Sequence, residues 1–338
     1  MATLKEIAEM CGVSTATVSY VASGRARAMR PETRERVTRK LIELGYHPNA
    51  HARGLQGLRT NTIGIVFDHV GIPFDNSYFG PILQGILAGA AERHLATLLF
   101  TDLTREEMET SASRLCDGRC DGFILVAPIK KSQLVSDLLK REVPIVVIGT
   151  HPDEMSVTTV DCDNVEGARL ATRHLIELGH RRIGAVGLRS ITGSCTPERL
   201  AGYRMALEDA GLSVDESLVA IEGPADSSQD SAIRLLLCYP KGPTALFCTE
   251  APVALEALNV AADMGLRVPG DLSVVGFDDV PQAAVSDPPL TTVRQPMRTI
   301  GTTSVELLAE EIEERRATVT SLLDVELIVR GSTTSPRA

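Results

Sequence analysis

The sequence predicts a small all-α helix-turn-helix head followed by an α/β body of two doubly wound parallel-sheet lobes. Three observations carry this. Residues 1–60 hold ten Lys/Arg against five Asp/Glu, a balance of +5 that leaves −15 for the rest of a chain whose total is −10. The same sixty residues spell short capped helices around a tight turn. From Thr62 onward apolar runs alternate with helical stretches, and that periodicity restarts after about residue 161. With 338 residues and 43% hydrophobic content, the chain can build a head and a large body of one or two lobes. The expected division is a head over 1–47, a hinge and linker over 48–60, and a body over 61–338.

In the head, Thr3 and Glu6 stand at capping-box spacing for a helix that runs to about Met10. Gly12 supplies the permissive turn dihedral, and Ser14 can cap a second helix through Val21. Val18 and Val21 share one face of that helix, while Thr15, Ala16 and Tyr20 point elsewhere. A helix with short polar side chains at its exposed N-terminus can enter a DNA major groove. Pro31 suits the first position of a third helix, whose stripe of Val37, Leu41 and Leu44 ends at Gly45. The linker from Asn49 to Leu58 could form a short helix capped by Asn49, but Gly54 and Gly57 each weaken it by about 1 kcal/mol relative to alanine. Such a helix is marginal without a partner.

In the body, strands are expected at Ile63–Phe67, Thr97–Phe100, Gly122–Val126 and Ile145–Ile148, with a helix from about Phe79 to His94. Asp163-Asn164 opens a helix through Leu178, and a second set of strands begins at Arg182–Val186. A helix from Glu198 to Ala210, strands near Leu218–Ile221 and at Ala245–Phe247, a helix through Met264 and a strand at Leu272–Gly276 follow. These units are too many for one compact sheet. Two lobes are the economical reading, with a ligand cleft at the carboxyl ends of their strands.

No apolar run is long enough to cross a bilayer, and the N-terminus lacks the apolar region of a signal peptide, so a cytoplasmic protein is expected. The seven cysteines are scattered, and the one close pair, Cys116 and Cys120, has no second pair or histidine to complete a metal site. Reduced thiols, no metal and no cofactor are the expectation.

The run from Thr3 to Val21, with Arg30-Pro31-Glu32-Thr33-Arg34 and Leu44-Gly45-Tyr46-His47-Pro48-Asn49, closely resembles the head of the lactose-repressor/galactose-repressor (LacI/GalR) family of bacterial transcription regulators. The body resembles the same family, whose ligand domain is similar to periplasmic sugar-binding proteins. The matching landmarks are Asp163-Asn164-Val165-Glu166-Gly167-Ala168, His174 to Ile183, Glu198 to Tyr203, Val275-Gly276-Phe277-Asp278-Asp279 and Thr291 to Pro296. The resemblance covers nearly the whole chain. It implies three crossings between lobes, with a first lobe of about 61–161 and 292–317 and a second of about 162–291 and 318–338.

The resemblance also implies a homodimeric regulator, most often a repressor, on pseudo-palindromic double-stranded operator DNA, cytoplasmic and nucleoid-associated when bound. Thr15, Ala16 and Tyr20 match the family's base-reading triplet, and Tyr20 cannot make the bidentate guanine contact of an arginine. Ser14, Thr17 and Ser23 match phosphate contacts, and Leu4 joins them as a DNA-contact candidate. Arg30 reaches phosphate or is a solvated side chain. The hinge would order only on DNA, with Ala52 and Leu55 matching its minor-groove wedge.

For the cleft the candidates are Asp68, Ser77, Tyr78, Phe79, Arg199, Glu250 and Asp278. An acid and a guanidinium at adjacent strand and helix ends can hold hydroxyls in fixed geometry, which implies a sugar or sugar derivative as effector. Two alternatives stay open: Arg199 and Asp278 as a lobe-bridging ion pair without ligand, and Tyr78 and Phe79 as core aromatics. Cys248-Thr249-Glu250 departs from the usual Asn-Asp of relatives, replacing an amide that donates and accepts with a group that only accepts when ionised. An exported solute-binding protein is opposed by the head and the absent signal peptide, whereas a ligand sensor without the usual sugar effector stays open, since Glu250 alters the site. An enzyme is opposed by Asp68-His69-Val70-Gly71 where a phosphate loop would stand and by the lack of a nucleophile elbow.

Overall fold

The computed structural model describes residues 2–22, 29–46, 59–67, 77–100, 112–129, 131–150, 156–188, 195–222, 229–239, 241–314 and 318–337. Ser23, Ala52, Leu55 and Asp68 lie outside the described residues. The chain forms two compact units.

The first unit is organised by three helices: α1 (Leu4–Cys11), α2 (Thr15–Ala22) and α3 (Pro31–Glu43). Local chemistry sets their limits. The Thr3 side chain accepts from the Glu6 amide while the Glu6 carboxylate accepts from the Thr3 amide at 2.7 Å, closing a capping box. Gly12 ends α1 at φ +62°, in the left-handed region that glycine enters without steric cost. Ser14 Oγ accepts from the Thr17 amide at 3.1 Å and caps α2. Pro31 occupies the first turn of α3. The helices share a core of Ile7, Ala8, Cys11, Val18, Val37 and Leu41, sealed by Leu4, Val13, Val21, Leu44 and Tyr46.

The second unit holds two six-stranded sheets. The first contains β1 (Thr62–Phe67), β2 (Ala96–Phe100), β3 (Gly122–Val126), β4 (Ile145–Ile148), β5 (Thr158–Cys162) and β11 (Thr320–Leu323), in the order β11-β5-β4-β3-β1-β2. The second contains β6 (Ile183–Leu188), β7 (Val219–Glu222), β8 (Ala245–Cys248), β9 (Ser273–Phe277), β10 (Thr291–Arg294) and β12 (Glu326–Ile328), in the order β12-β10-β9-β8-β6-β7. Every pairing is parallel except β10 with β12. The inner strands β3, β4, β8 and β9 are buried at every residue, because helices cover both faces of a parallel sheet.

Helices α4 (Phe79–Glu92), α5 (Ala112–Leu115), α6 (Gln133–Lys140) and α12 (Met297–Glu314) accompany the first sheet. The second has α7 (Asn164–Glu177), α8 (Thr196–Asp209), α9 (Gln229–Leu237), α10 (Ala251–Asp263) and α11 (Pro281–Val285). Two helix pairs approach through glycine. A Cβ on Gly85 of α4 would overlap the Arg298 carbonyl of α12, and one on Gly301 would overlap the Ile82 carbonyl in return. Gly202 of α8 meets the Val165 carbonyl of α7 in the same way.

The expected strand and helix positions recur within a few residues, and β5 is a strand the sequence reading did not name. Two lobe assignments are corrected. Thr292 was expected to open the return to the first lobe, but β10 pairs with β9 in the second sheet, Thr292 opposite Gly276 and Val293 opposite Phe277. The crossing comes after Gln295, where Pro296 has no amide to extend the ladder and α12 begins at Met297. The segment after residue 318 was expected in the second lobe, but β11 pairs in parallel with β5 of the first sheet, and β12 alone returns to the second.

The C-terminal segment is fastened to the second sheet by His180. Its Nδ1 lies 2.8 Å from Thr244 Oγ1, and its Nε2 lies 2.9 Å from the Thr334 carbonyl and 3.1 Å from Ser273 Oγ. The carbonyl only accepts, so Nε2 carries the proton and Nδ1 accepts from the threonine hydroxyl. Burial lowers the His180 pKa from its ordinary 6.5, against the Thr334 bond that raises it. His174, 3.0 Å from Thr333 Oγ1, is lowered by burial too. The folded state therefore binds fewer protons than the unfolded one, and this part of stability is present above pH 6.5 and lost as pH falls through and below it. Melting temperature is expected to drop between about pH 7.5 and pH 5.5, with a shallower drop in His180→Gln. An identical slope in the variant would rule out this titration.

Candidate functional site

In the head, α2 buries Val18 and leaves Thr15, Ala16 and Tyr20 exposed, Tyr20 by 53%. The three side chains singled out in the sequence thus share solvent access on a helix held at its back by the core. Ser14 Oγ is engaged as the cap and lies 2.9 Å from Thr17 Oγ1. Leu4 is half-buried against the core, and Arg30 is exposed at the start of α3 without a side-chain capping bond. This helix can present short polar groups and one phenol to a groove, and Arg34 and Arg36 of α3 are exposed in the same unit.

In the body, a polar cluster gathers at the carboxyl ends of β5, β8 and β9. Arg199, on the first turn of α8, is buried at its centre. Its Nε donates to Asn164 Oδ1 at 2.9 Å, its Nη1 donates to the Thr249 carbonyl and stands 3.4 Å from Asp278 Oδ1, and its Cζ lies 3.7 Å over the Phe277 ring. Burial opposes the charge, but Asp278 and the neighbouring thiols and acids outweigh it and raise the guanidinium pKa. Asp278 accepts from Gln295 Nε2 at 2.6 Å and from the Ala251 amide at 3.3 Å. It follows β9 at φ +90°, a left-handed conformation that costs a non-glycine residue energy and is held by these contacts.

Glu250 begins α10 and is half-buried. It accepts from Thr196 Oγ1 at 2.7 Å and from Thr249 Oγ1 at 2.6 Å. Burial pushes its carboxyl above the ordinary 4.5, against the pull of Arg199 and the two threonine bonds. From the first sheet comes Asp161, buried at the end of β5, which accepts from Asn164 Nδ2 at 3.0 Å and lies 3.6 Å from Cys195 Sγ. Tyr78 is half-buried, and a Cβ on Gly149 would stand 2.8 Å from its hydroxyl. Burial, then the charge of Asp161, push its phenol pKa well up. Ser77 Oγ donates to Gln282 Oε1 at 3.2 Å, a bond between the segments entering α4 and α11.

The structure thus brings Tyr78, Arg199, Glu250 and Asp278 into one neighbourhood and ties Ser77 across the two sheets. Phe79 belongs to the core of the first lobe, edge-on to Phe67 at 5.5 Å and to Tyr78 at 5.3 Å. Sequence reasoning missed Asp161, Asn164, Thr196, Thr249 and Gln295. The carboxylate in Thr158-Thr159-Val160-Asp161-Cys162, a segment otherwise fit for a buried strand, was the available signal. Among the described residues no group of three His, Cys, Asp or Glu is placed to hold a metal ion, and no helix is long and apolar enough to cross a membrane.

Residues 3–49 match the family described as bacterial regulatory proteins, lacI family, and residues 172–333 match a periplasmic binding protein-like domain. The chain is 34% identical over 318 residues to the HTH-type transcriptional repressor PurR of Aliivibrio salmonicida (strain LFI1238), covering 93% of each. The solved complex of the transcriptional regulator CelR with cellobiose superposes with a TM-score of 0.75 at 34% identity, over 98% of this chain and 100% of that one. The lac repressor dimer bound to operator and the anti-inducer ONPF superposes with a TM-score of 0.80 at 27% identity, over 98% and 99%.

Proposed function

The chain belongs to the lacI family of bacterial regulatory proteins, and from that premise we propose that Thr15, Ala16 and Tyr20 read operator bases while the cleft around Arg199 and Asp278 receives the effector. The protein is a DNA-binding transcriptional regulator, of the repressor type, whose DNA affinity a small molecule controls. It acts as a homodimer on a pseudo-palindromic site, as the lac repressor dimer does on its operator. DNA as partner supports a cytoplasmic location, and relatives that are named as regulators support a role without catalysis.

The single observation that carries the DNA reading is the exposed face of α2 over Val18, with a charge of +5 over residues 1–60. The effector reading rests on Arg199, Asp278 and Glu250 at strand and helix ends, where open parallel sheets bind ligands. A ligand that binds one closure of the two lobes more tightly shifts their equilibrium, and DNA affinity responds through the same coupling.

Footprinting is expected to show symmetric protection of two half-sites, with binding that weakens steeply as salt rises. Tyr20→Ala should cost about 1–3 kcal/mol at the cognate site and relax preference at one symmetric pair of positions. Leu55→Ala, at the hinge, should lower operator affinity by about 1–3 kcal/mol with the head still folded. Full protection of one unsymmetrical half-site by a monomer would overturn the reading, as would an unaltered site preference in Tyr20→Ala.

A further inference from the structure

We propose that the Glu250 end of the cleft receives an ammonium group, so that the effector is a basic amino sugar. The proposal rests on the reading of the cleft as the effector site and names the chemistry that site selects.

The argument begins with proton counting. A threonine hydroxyl has one proton to give. Thr249 gives its proton to Glu250, and that of Thr196 is divided between Glu250 and the Leu188 carbonyl, 3.0 Å away. Toward a ligand, both hydroxyls therefore offer only lone pairs. The described donor bonds of Arg199 engage its Nε and Nη1, toward Asn164, Thr249 and Asp278. An amide at position 250 would have contributed two N–H groups, whereas the carboxylate contributes none.

A second observation comes from Gln295, only 5% exposed, which donates Nε2 to Asp278 Oδ1. Its Oε1 is buried without a hydrogen-bond partner among the described residues. A buried carbonyl left unpaired is costly, so an acceptor beside Asp278 waits for a donor. Charge points the same way. Among the described residues of the cluster, the carboxylates of Glu250 and Asp278 stand against the single guanidinium of Arg199. An excess of negative charge repels phosphorylated and uronic sugars and attracts an ammonium that carries three donors. Burial raises the Glu250 pKa, the strain a cation beside it would relieve.

The test is calorimetric titration of the full-length protein with glucosamine against glucose, diglucosamine against cellobiose, and glucose 6-phosphate as the anionic control. In at least one pair the amine is expected to bind about tenfold tighter or more than its hydroxyl counterpart, and the phosphate not to bind. Glu250→Gln, shown to be folded by its operator binding, should bring amine and hydroxyl forms close to parity. The proposal is overturned if neutral or anionic sugars bind as tightly as the amines, if neither amine binds at millimolar concentration, or if Glu250→Gln keeps the full preference. Asp278→Asn separates the two readings. If it weakens every sugar that binds while the amines hold no advantage, the effector site stands and the amine proposal falls. Equal binding to wild type and Asp278→Asn removes the effector site itself.

Discussion

Asp278→Asn is expected to lower effector affinity about 10- to 100-fold while leaving operator binding in place, because a hydrogen bond to a charged group contributes about 1.5–3 kcal/mol. The amide keeps the size of the side chain, but it removes the charge that faces Arg199 and turns one of the two oxygens that accept from Gln295 and the Ala251 amide into a donor. Arg199→Ala should go further and also destabilise the body by about 3–5 kcal/mol, since it strands Asp278, Asn164 and the Thr249 carbonyl in a buried cluster. Titration of the effector into operator complexes reads the first effect, and chemical denaturation reads the second. Unchanged response in Asp278→Asn would mean that the pair serves only to bridge elements of the body.

The second large effect is a matter of sign. On helix propensity alone, Gly85→Ala in α4 and Gly301→Ala in α12 would each stabilise by about 1 kcal/mol. The structure predicts the opposite, because the new methyl would meet a backbone carbonyl of the facing helix, which cannot swing aside as a side chain would. Separating the two helices costs about 1–3 kcal/mol by overpacking, and Gly85→Leu should cost more. The midpoint of denaturation is expected to fall for each variant. A rise in Gly85→Ala would show that the helix pair has room to spare.

The head was legible in the sequence almost residue by residue. The Thr3 and Glu6 capping box, the Ser14 cap, Gly12 and Pro31 all act within four residues of where they stand, so their spacing already contains the geometry. The strands of the body were legible for a related reason: sheets buried on both faces need continuous apolar runs, and Gly122–Val126 and Ile145–Ile148 are such runs. Arg199, Glu250 and Asp278 could be placed near a cleft because each sits at the end of a recognisable strand or the start of a recognisable helix.

What the sequence alone determined is therefore the set of elements, the charge split between head and body, and the family to which the chain belongs. The tertiary structure decided which sheet each late strand joins. β10 and β11 are short strands, and only pairing with β9 and β5 sends one to the second sheet and the other to the first. It decided too that Asp161 and Gln295, from distant parts of the chain, meet the cluster around Asp278, and that Gly85 must face Gly301. The physical reason is range. Caps, turns and hydrophobic periods are interactions between residues a few positions apart, whereas a cleft is an interaction between strand ends, settled by sheet order and by how closely the covering helices approach.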